Sequence, residues 1–276
     1  MKYANMHLHS SYSDACFTPR ELVVIGKALG YGALALTDHE TDGGCKEFAE
    51  KCKAEGIECI TGVEFYGKVQ GCVPHLTALD FDPNCPAIRN LIRQRCELYN
   101  EGTRKCVERG IRLGIIEGIT WDDVIAFSGD GAWICIDTVL ATFRLKKVPI
   151  PKDFRERVFK GEARAFFPAK AEAKEVIEAV RKADGIIALA HPDHKMHLYL
   201  NELIEYGLNG IETSHPDIPA DVLPLALEAA ETHRLYHCGG TDHSGPMSGC
   251  GGANAFPTFD GVTKEQFEIL KERRLG

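Results

Sequence analysis

Histidine and carboxylate side chains recur directly after short apolar runs along the whole chain, and this recurrence limits the fold more than any other feature. The runs, such as residues 33–37 and 186–190, are rich in aliphatic residues and alternate with segments of helical periodicity. This alternation predicts βα units around a mostly parallel sheet. Because the carboxyl ends of the strands in an α/β barrel converge on one face, side chains that follow the strands would meet there.

Six of these strand positions carry residue types that bind metals. His7 and His9 end the first run, and both imidazoles point in one direction because residues i and i+2 of a strand face the same side. The other candidates lie in the loops after the strands or in the apolar runs themselves: Asp14, Asp38, His39, Glu64, His75, His191, Asp242 and His243. One such histidine is more often a structural hydrogen-bonding residue. Six strands that each supply a ligand type together predict a shared metal site.

Residues 84–165 break the alternation of strands and helices. They read as helices separated by glycine-rich breaks, with a basic segment at 144–147. We expect a small helical subdomain here, inserted into a barrel that comprises residues 1–83 and 166–276. Its core is expected to use the aromatic residues Trp121, Phe127, Trp133 and Phe143.

The motifs at the strand positions resemble those of a known family. HLHSSYSD at 7–14, TDHE at 37–40, GVE at 62–64, the histidine at 75, LAHP at 189–192 and GTDH at 240–243 are similar, in order and spacing, to successive motifs of the polymerase and histidinol phosphatase (PHP) family. The resemblance implies an α/β fold, a distorted (β/α)7 barrel with a two- or three-metal site at its mouth. It also implies hydrolysis of phosphate esters, and the segment before LAHP resembles the insert of the family's small phosphoesterase branch.

Carried over by position, the resemblance implies the metal ligands. It assigns His7, His9, Glu64 and Asp242 to a first metal, His75 and His191 with a bridging Glu64 to a second, and Asp14, His39 and His243 to a third. Three divalent ions against three carboxylates leave a positive surplus that suits a phosphate and a metal-bound hydroxide. The ligands fit Mn²⁺, Zn²⁺ or Fe²⁺, so two or three such ions are expected. Asp38 is expected to orient a turn or a ligand histidine.

The chain departs from the family pattern in two places. The last motif of the family usually reads Asp-x-His, whereas His243 follows Asp242 directly and Ser244 stands where the histidine normally falls. We favour a shifted turn that brings His243 into the site over a poorly held third metal. The insert commonly offers a Gly-Arg-Pro-His segment that grips a phosphate, but the matching residues 131–134 read Gly-Ala-Trp-Ile.

Other cationic or imidazole side chains could replace the missing phosphate contact. The candidates are Arg144, Lys160, Arg164, His194, His197 and His215. His215 follows the predicted strand 209–213 directly, which places it on the catalytic face. Asp14 or His215 is also the candidate proton donor to the leaving alcohol. His233 and His237 lack such a placement and are expected to be structural or surface groups.

The sequence therefore predicts metal-dependent hydrolysis of a phosphate ester of a small molecule, such as a nucleotide or sugar phosphate. The ester is a monoester or a cyclic phosphodiester, and a metal-bound hydroxide attacks phosphorus. An amidohydrolase-like metal hydrolase remains an alternative, although no lysine stands at the strand ends, where that class tends to place a bridging lysine. A non-catalytic metal-binding accessory module, working with a polymerase or another partner, is the second alternative.

Composition argues against several other classes of protein. The 276 residues include 40 acidic and 32 basic side chains, and the resulting net charge of -8 disfavours non-specific binding to nucleic acid or to an anionic membrane. No apolar run is long enough for a transmembrane helix, and the N-terminus lacks the apolar stretch of a signal peptide, so a cytoplasmic location is expected. Eleven cysteines without a CxxC pair are expected to be reduced thiols. The sequence does not predict the oligomeric state.

Overall fold

The computed structural model describes residues 2–243 and 260–275. Within these ranges the strands are β1 Lys2–Asn5, β2 Ala33–Leu36, β3 Glu58–Lys68, β4 His75–Leu79, β5 Ala171–Glu172, β6 Ile186–Leu189, β7 Gly210–Ser214, β8 Tyr236–Gly239 and β9 Val262–Thr263. The helices are α1 Pro19–Ala28, α2 Cys45–Glu55, α3 Pro86–Arg112, α4 Trp121–Ser128, α5 Ile136–Leu145, α6 Ala173–Lys182, α7 Met196–Tyr206, α8 Leu223–His233 and α9 Lys264–Lys271. A π-helical turn at Arg155–Phe159 and a 3-10 helix at Gly161–Phe166 follow α5.

All nine strands belong to one sheet that curls into a nearly closed barrel. The strand order is β8-β7-β6-β4-β3-β2-β1-β9, and β5 pairs with β3 off this path. The segments that follow β1 and β8 close the barrel: the N–H of Met6 donates to the carbonyl of Gly239 at 3.0 Å, and that of Asp242 to the carbonyl of His7 at 2.9 Å. The predicted α/β barrel is therefore confirmed.

Local sequence explains the main elements of the barrel. Strands β2 and β6 are buried along their whole length, as expected for strands that helices cover on one side and the barrel interior on the other. Helix α1 begins with the predicted capping box, in which the side chain of Thr18 accepts from the N–H of Glu21 and the carboxylate of Glu21 accepts from the N–H of Thr18. Pro19 occupies the first turn, where its missing N–H costs nothing.

Strand β4 runs antiparallel to both of its neighbours, β3 and β6, whereas the other long strands of the barrel are parallel. The connection between β3 and β4 spans only residues 69–74, and a parallel crossover needs about a dozen residues or more. Gln70 and Gly71 both adopt positive φ, at 48° and 73°, as in a tight hairpin turn. The antiparallel direction brings the beginning of β4 to the barrel mouth.

The segment after β4 has an apolar core of its own, here called the insert core. It consists of Cys106, Val107, Ile116, Ile119, Val124, Ile134, Val139, Leu140, Phe143, Phe154, Val158 and Ala163. Phe143 is buried there as predicted, and Trp121 packs against it. The expectation for two aromatic residues was wrong: Phe127 is 38% exposed, and Trp133 packs in a separate group with Tyr99.

Helix α3 connects the insert core to the barrel. Its first half contributes Ile88, Leu91 and Ile92 to the cluster that packs on the outside of the sheet, and its second half contributes Cys106 and Val107 to the insert core. The predicted domain boundaries near residues 84 and 165 stay a prediction. No helix in the described ranges is both long and apolar enough to cross a membrane.

Candidate metal centre

Polar side chains at one rim of the barrel are almost completely buried. His7, His9 and Glu64 are at most 1% exposed, and His39 is 6% exposed. His7 and His9 lie just after β1, Glu64 lies within β3, and His39 pairs with Glu64 through a parallel bridge after β2. The barrel closure therefore concentrates these side chains at the carboxyl ends of adjacent parallel strands.

The four residues that the resemblance assigns to a first metal converge. The Nε2 atoms of His7 and His9 lie 3.1 Å apart. Nε2 of His9 is 2.9 Å from a carboxylate oxygen of Asp242 and 3.2 Å from Oε2 of Glu64, and Nε2 of His7 is 3.3 Å from Oε1 of Glu64. Ligand atoms of His7, His9 and Asp242 all lie within 4.8 Å of one another, which is compatible with one shared cation.

Glu64 lies between this group and a second one. Its Oε1 atom is 3.0 Å from Nδ1 of His75 and 3.3 Å from Nε2 of His191. Its Oε2 atom is 3.0 Å from Nδ1 of His39. This carboxylate contacts histidines from four different elements, which is the placement expected of a bridging ligand.

Two of the three residues predicted for a third metal are at the edge of the same cluster. The carboxylate of Asp14 lies 3.6 Å from Nε2 of His39 and 3.7 Å from Nδ1 of His9. We call the residues that meet here the ligand cluster: His7, His9, Asp14, His39, Glu64, His75, His191 and Asp242.

Among the described residues, His243 belongs to none of the side-chain groups that could hold a cation. Its ring stacks on Phe17 with a centroid distance of 5.4 Å, and its backbone carbonyl accepts from the N–H of His9. Asp242 has a positive φ of 47°, and its carboxylate lies 2.9 Å from Nε2 of His9. The predicted shift of the turn stays a prediction. Ser244, at the usual histidine position, lies outside the described residues.

The ligand cluster fits divalent cations. Nδ1 of His39 and Oε2 of Glu64 are buried and face each other without a hydrogen bond, and a buried polar atom without a partner costs about 1–3 kcal/mol. A bound cation would satisfy both atoms. Imidazole and carboxylate donors together suit Mn²⁺, Fe²⁺ and Zn²⁺. The residues present are therefore those that such ions need.

Charges within the ligand cluster shift the pKa values of its residues. Burial opposes the imidazolium form of His7, but the carboxylates of Glu212, Glu64 and Asp242 outweigh it and raise the pKa well above the usual value. Burial likewise opposes the ionised form of Glu64, and the neighbouring histidines lower its pKa well below the usual range. A cation has to displace protons from such histidines, so metal binding should weaken as the pH falls.

Sequence reasoning missed Glu212, a buried residue of β7. Its Oε1 atom lies 2.7 Å from Nδ1 of His7, and its Oε2 atom accepts from the backbone N–H of His191 at 2.7 Å. A carboxylate on Nδ1 fixes the proton there and leaves the lone pair of His7 Nε2 for the cluster. The available signal was a single acid inside an otherwise buried strand, which is rare without a specific partner.

His215 has the opposite tautomer to His7. Its Nδ1 atom accepts from the backbone N–H of Asp217 at 3.1 Å, so the neutral ring carries its proton on Nε2. Nε2 is buried without a hydrogen bond and lies 3.8 Å from a carboxylate oxygen of Asp242. Burial lowers the pKa of His215, which favours the neutral ring. His215 therefore presents an N–H group to the metal centre.

Tyr66 and Lys170 were also missed. Tyr66 lies two residues beyond Glu64 on β3, so both side chains face the mouth. The Tyr66 ring stacks on His39 at 5.1 Å and meets His75 edge-on at 4.6 Å. Nζ of Lys170 lies 3.4 Å from the Tyr66 ring centroid, and burial lowers the pKa of Lys170 to about 8. Tyr66 thus holds two histidines of the cluster in position.

The predicted phosphate contacts are scattered. Lys160 pairs with Glu156 on the surface, and Arg164 is exposed on the 3-10 helix. His194 is exposed and pairs with Asp221 at 3.0 Å, and His197 bonds the carbonyl of His194 at 2.8 Å. His215, described above, lies beside the ligand cluster, and Arg144 lines a cavity together with Asp14.

The remaining polar candidates have structural partners. Asp38 accepts hydrogen bonds from the N–H and hydroxyl of Ser10 and from the hydroxyl of Ser13, which fixes the loop that carries Asp14. His237 contacts Thr213 at 3.0 Å and Glu231 at 3.3 Å.

Comparisons with known proteins agree with this geometry. The family model that describes the PHP domain matches residues 5–183. A 5'-3' exoribonuclease from Haemophilus influenzae is 32% identical over 201 residues, which cover 69% of this chain and 69% of that protein. A phosphoribosyl 1,2-cyclic phosphate 1,2-diphosphodiesterase from Eggerthella lenta is 24% identical over 265 residues, 87% of this chain and 94% of that protein.

A solved structure shows the same fold. It belongs to a candidate metal-dependent phosphoesterase from Bifidobacterium adolescentis and superposes with a TM-score of 0.80 at 24% sequence identity. The superposition covers 99% of this chain and 96% of that one, so the likeness includes both the barrel and the segment around the insert core.

Proposed function

The chain belongs to the PHP family and is a metal-dependent phosphoesterase, and from this premise we propose that it hydrolyses a phosphate ester of a small molecule, either a monoester or a cyclic phosphodiester. This proposal replaces the two alternatives considered from the sequence, an amidohydrolase-like metal hydrolase and a non-catalytic accessory module. The observation that carries it is the ligand cluster, with buried nitrogen and oxygen atoms that lack hydrogen-bond partners. The acidic net charge of -8 favours a small substrate over a long polyanion.

The proposed ligands follow from the contacts. His7, His9 and Asp242 would hold one divalent cation and His75 and His191 a second, and the carboxylate of Glu64 would serve both. His39 and Asp14 stand where they could hold a third. When bound, such cations lower the pKa of a coordinated water and stabilise negative charge on the phosphoryl oxygens.

Residues of this chain supply the rest of the site. Glu212 holds the tautomer of His7 that points its lone pair into the cluster. His215 donates its Nε2–H to a phosphoryl oxygen, where a fixed donor in a buried site stabilises developing charge without reorganisation. Asp14, at the edge of the cluster and facing the adjoining cavity, is the proposed proton donor to the leaving alcohol.

An ester panel tests the proposed function. Purified protein is incubated with monoesters and cyclic phosphodiesters in the presence of Mn²⁺, Fe²⁺ or Zn²⁺, and phosphate or monoester release is measured. Glu64→Gln keeps the size of the side chain but removes the bridging charge, so we expect at least a ~1000-fold loss of activity. His9→Ala should behave similarly, whereas the exposed His233→Ala is the control. Full activity in Glu64→Gln or His9→Ala would contradict the mechanism.

The role of His215 has a separate test. If it acts as an N–H donor, His215→Gln should keep much of the activity because an amide can also donate, and His215→Ala should lose about 100-fold. Neither variant should lose bound metal, which elemental analysis measures. Loss of a metal equivalent would identify His215 as a ligand instead. An activity in His215→Gln as low as in His215→Ala would point to proton transfer.

A further inference from the structure

The two-residue strand β5 lies off the main path of the sheet and brings a lysine to the rim of the barrel. It pairs in parallel with the end of β3, where Ala171 lies beside Gly67. The residues that precede this pair, Lys170 and Tyr66, therefore lie next to each other. The Nζ atom of Lys170 is 3.4 Å from the centroid of the Tyr66 ring, which is a close cation–π contact.

Contacts outside the ligand cluster hold Lys170 in this place. The carbonyl of Ala169 accepts from Nη1 of Arg95 at 2.9 Å, which fixes the backbone just before the lysine. Arg95 is itself buried and pairs with the buried carboxylate of Glu40 at 3.4 Å. Nζ of Lys170 also lies 4.7 Å from the ring centroid of Tyr99. The ammonium is thus fixed by a paired strand, an anchored carbonyl and two aromatic rings.

Two histidines of the ligand cluster contact the Tyr66 ring and lack the kind of partner that orients His7. His7 bonds the carboxylate of Glu212, which lies outside the cluster. Within the described residues, the carboxylate contacts of His39 and His75 are all inside the cluster. The plane of the Tyr66 ring makes an angle of 11° with that of His39 and 89° with that of His75. Ring contacts with Tyr66 therefore take the orienting role that Glu212 has for His7.

We infer that Lys170 is a positioning residue of the metal centre: its ammonium holds the ring of Tyr66, and this ring holds the imidazoles of His39 and His75 in the orientation that a cation needs. The inference rests on the metal site of the proposed function, but not on the hydrolysis of any ester. A cation–π contact is strongest where water is excluded, and Lys170 and Tyr66 are both half-buried. Loss of a group that orients a ligand typically lowers metal affinity by about 10- to 100-fold. Because Lys170 acts through one intervening ring, we expect about tenfold.

Substitutions at Lys170 test the inference with metal alone. The Kd for Mn²⁺ is measured on purified protein by competition with a fluorescent chelator, without any ester. Lys170→Met keeps the length of the side chain and removes its charge, so the Kd should rise about tenfold. Lys170→Arg keeps a cation that stacks on aromatic rings and should bind as the wild type does. Lys174→Met, at an exposed lysine 5.7 Å from the Tyr206 ring, is the matched control and should also bind normally.

A double-mutant cycle assigns the effect to the Tyr66 ring. Tyr66→Phe keeps the ring and should bind Mn²⁺ normally, whereas Tyr66→Leu should weaken binding at least tenfold. Lys170→Met should cause no further loss when it is combined with Tyr66→Leu, because the contact that it removes is already absent. The visible absorption spectrum of bound Co²⁺ reports the arrangement of its ligands, and it should change in Lys170→Met but not in Lys170→Arg. Circular dichroism confirms that each variant is folded.

The outcomes separate this inference from the proposed function. Unchanged Mn²⁺ affinity in Lys170→Met, an additive loss in the double variant, or an equal loss in Lys170→Met and Lys170→Arg would each overturn the inference. If Lys170→Met does not fold, Lys170→Gln removes the same charge and takes its place. The expected pattern of affinities in a protein that hydrolyses no phosphate ester would support the inference and overturn the proposed function. A wild type that binds no metal would overturn both.

Discussion

The ligand cluster and the insert core are both buried, but they enclose opposite kinds of side chain. The ligand cluster packs histidines and carboxylates against one another, and some of its polar atoms have no hydrogen-bond partner. The insert core consists of eleven apolar side chains and one cysteine. Burial of apolar groups stabilises a fold by itself, whereas buried polar atoms cost free energy until a partner satisfies them. The stability of the ligand cluster should therefore depend on a bound cation, whereas that of the insert core should not.

Removal of metal should have the largest effect and should act on one region only. A strong chelator should reduce phosphoesterase activity by at least ~1000-fold, and added Mn²⁺ or Zn²⁺ should restore it. Metal at 100 times its Kd contributes about 2.7 kcal/mol of stability, so the melting temperature should also fall. Hydrogen exchange should increase at β1, β3 and β7 but not in α5. Equal loss of protection in both regions would contradict the comparison.

Truncation in the insert core should show the reverse pattern. Phe143 is completely buried there, so Phe143→Ala should cost about 3–5 kcal/mol of unfolding free energy. Elemental analysis should find the metal content unchanged. Ile125→Ala, at a side chain that is 44% exposed on α4, is the control and should change stability by less than ~0.5 kcal/mol. Loss of metal from folded Phe143→Ala protein would show that the two regions are coupled.

A substitution next to the ligand cluster should have an intermediate effect. Glu212 accepts two hydrogen bonds, from His7 and from the backbone of His191, and the amide in Glu212→Gln can accept only through its oxygen. We expect metal affinity to fall by about 10- to 100-fold, measured by competition with a fluorescent chelator. The exposed Glu178→Gln on α6 is the control. Unchanged affinity in Glu212→Gln would mean that His7 keeps its orientation without this carboxylate.

The smallest predicted effect concerns Lys170, which lies behind Tyr66. Burial lowers its pKa to about 8, compared with about 10.4 for ordinary lysines. Acetylation of Lys170 should therefore reach half its maximal rate near pH 8, which mass spectrometry of digested protein can follow, with the exposed Lys174 of the same digest as an internal reference. Between these two values the unfolded chain binds more protons at this residue, so its contribution to stability should rise with pH. A half-maximal rate above pH 10 would contradict the prediction.

The convergence of the ligand cluster could be predicted from the sequence because barrel geometry is general. Wherever parallel strands end at one rim, a histidine or acid that follows a strand is brought to that rim, and this applies to His39 and His191 regardless of their neighbours. The capping box at Thr18 and the apolar runs of β2 and β6 are equally local signals. Such features depend only on residues that are close together in the sequence, so they can be recognised without the three-dimensional structure.

The features that sequence reasoning missed depend on packing between distant segments. Lys170 meets Tyr66 across the fold, and no spacing or periodicity links the two residues. Glu212 reaches His7 only when β7 and the end of β1 are both in place. Phe127 and Trp133 both have aromatic side chains suited to a core, but Phe127 of α4 lines a cavity beside Asp14, and Trp133, in the loop before α5, packs against Tyr99.

The hairpin of β3 and β4 has a consequence for how the protein assembles. The side chains of Glu64 and His75 meet diagonally across the hairpin, 11 residues apart in the chain, whereas His7, His191 and Asp242 come from distant segments. Contacts between residues close in sequence form early, because little chain entropy is lost in closing the loop. A nascent chain that has emerged only as far as β4 thus already holds two donors for a cation, and later strands can dock onto them in turn.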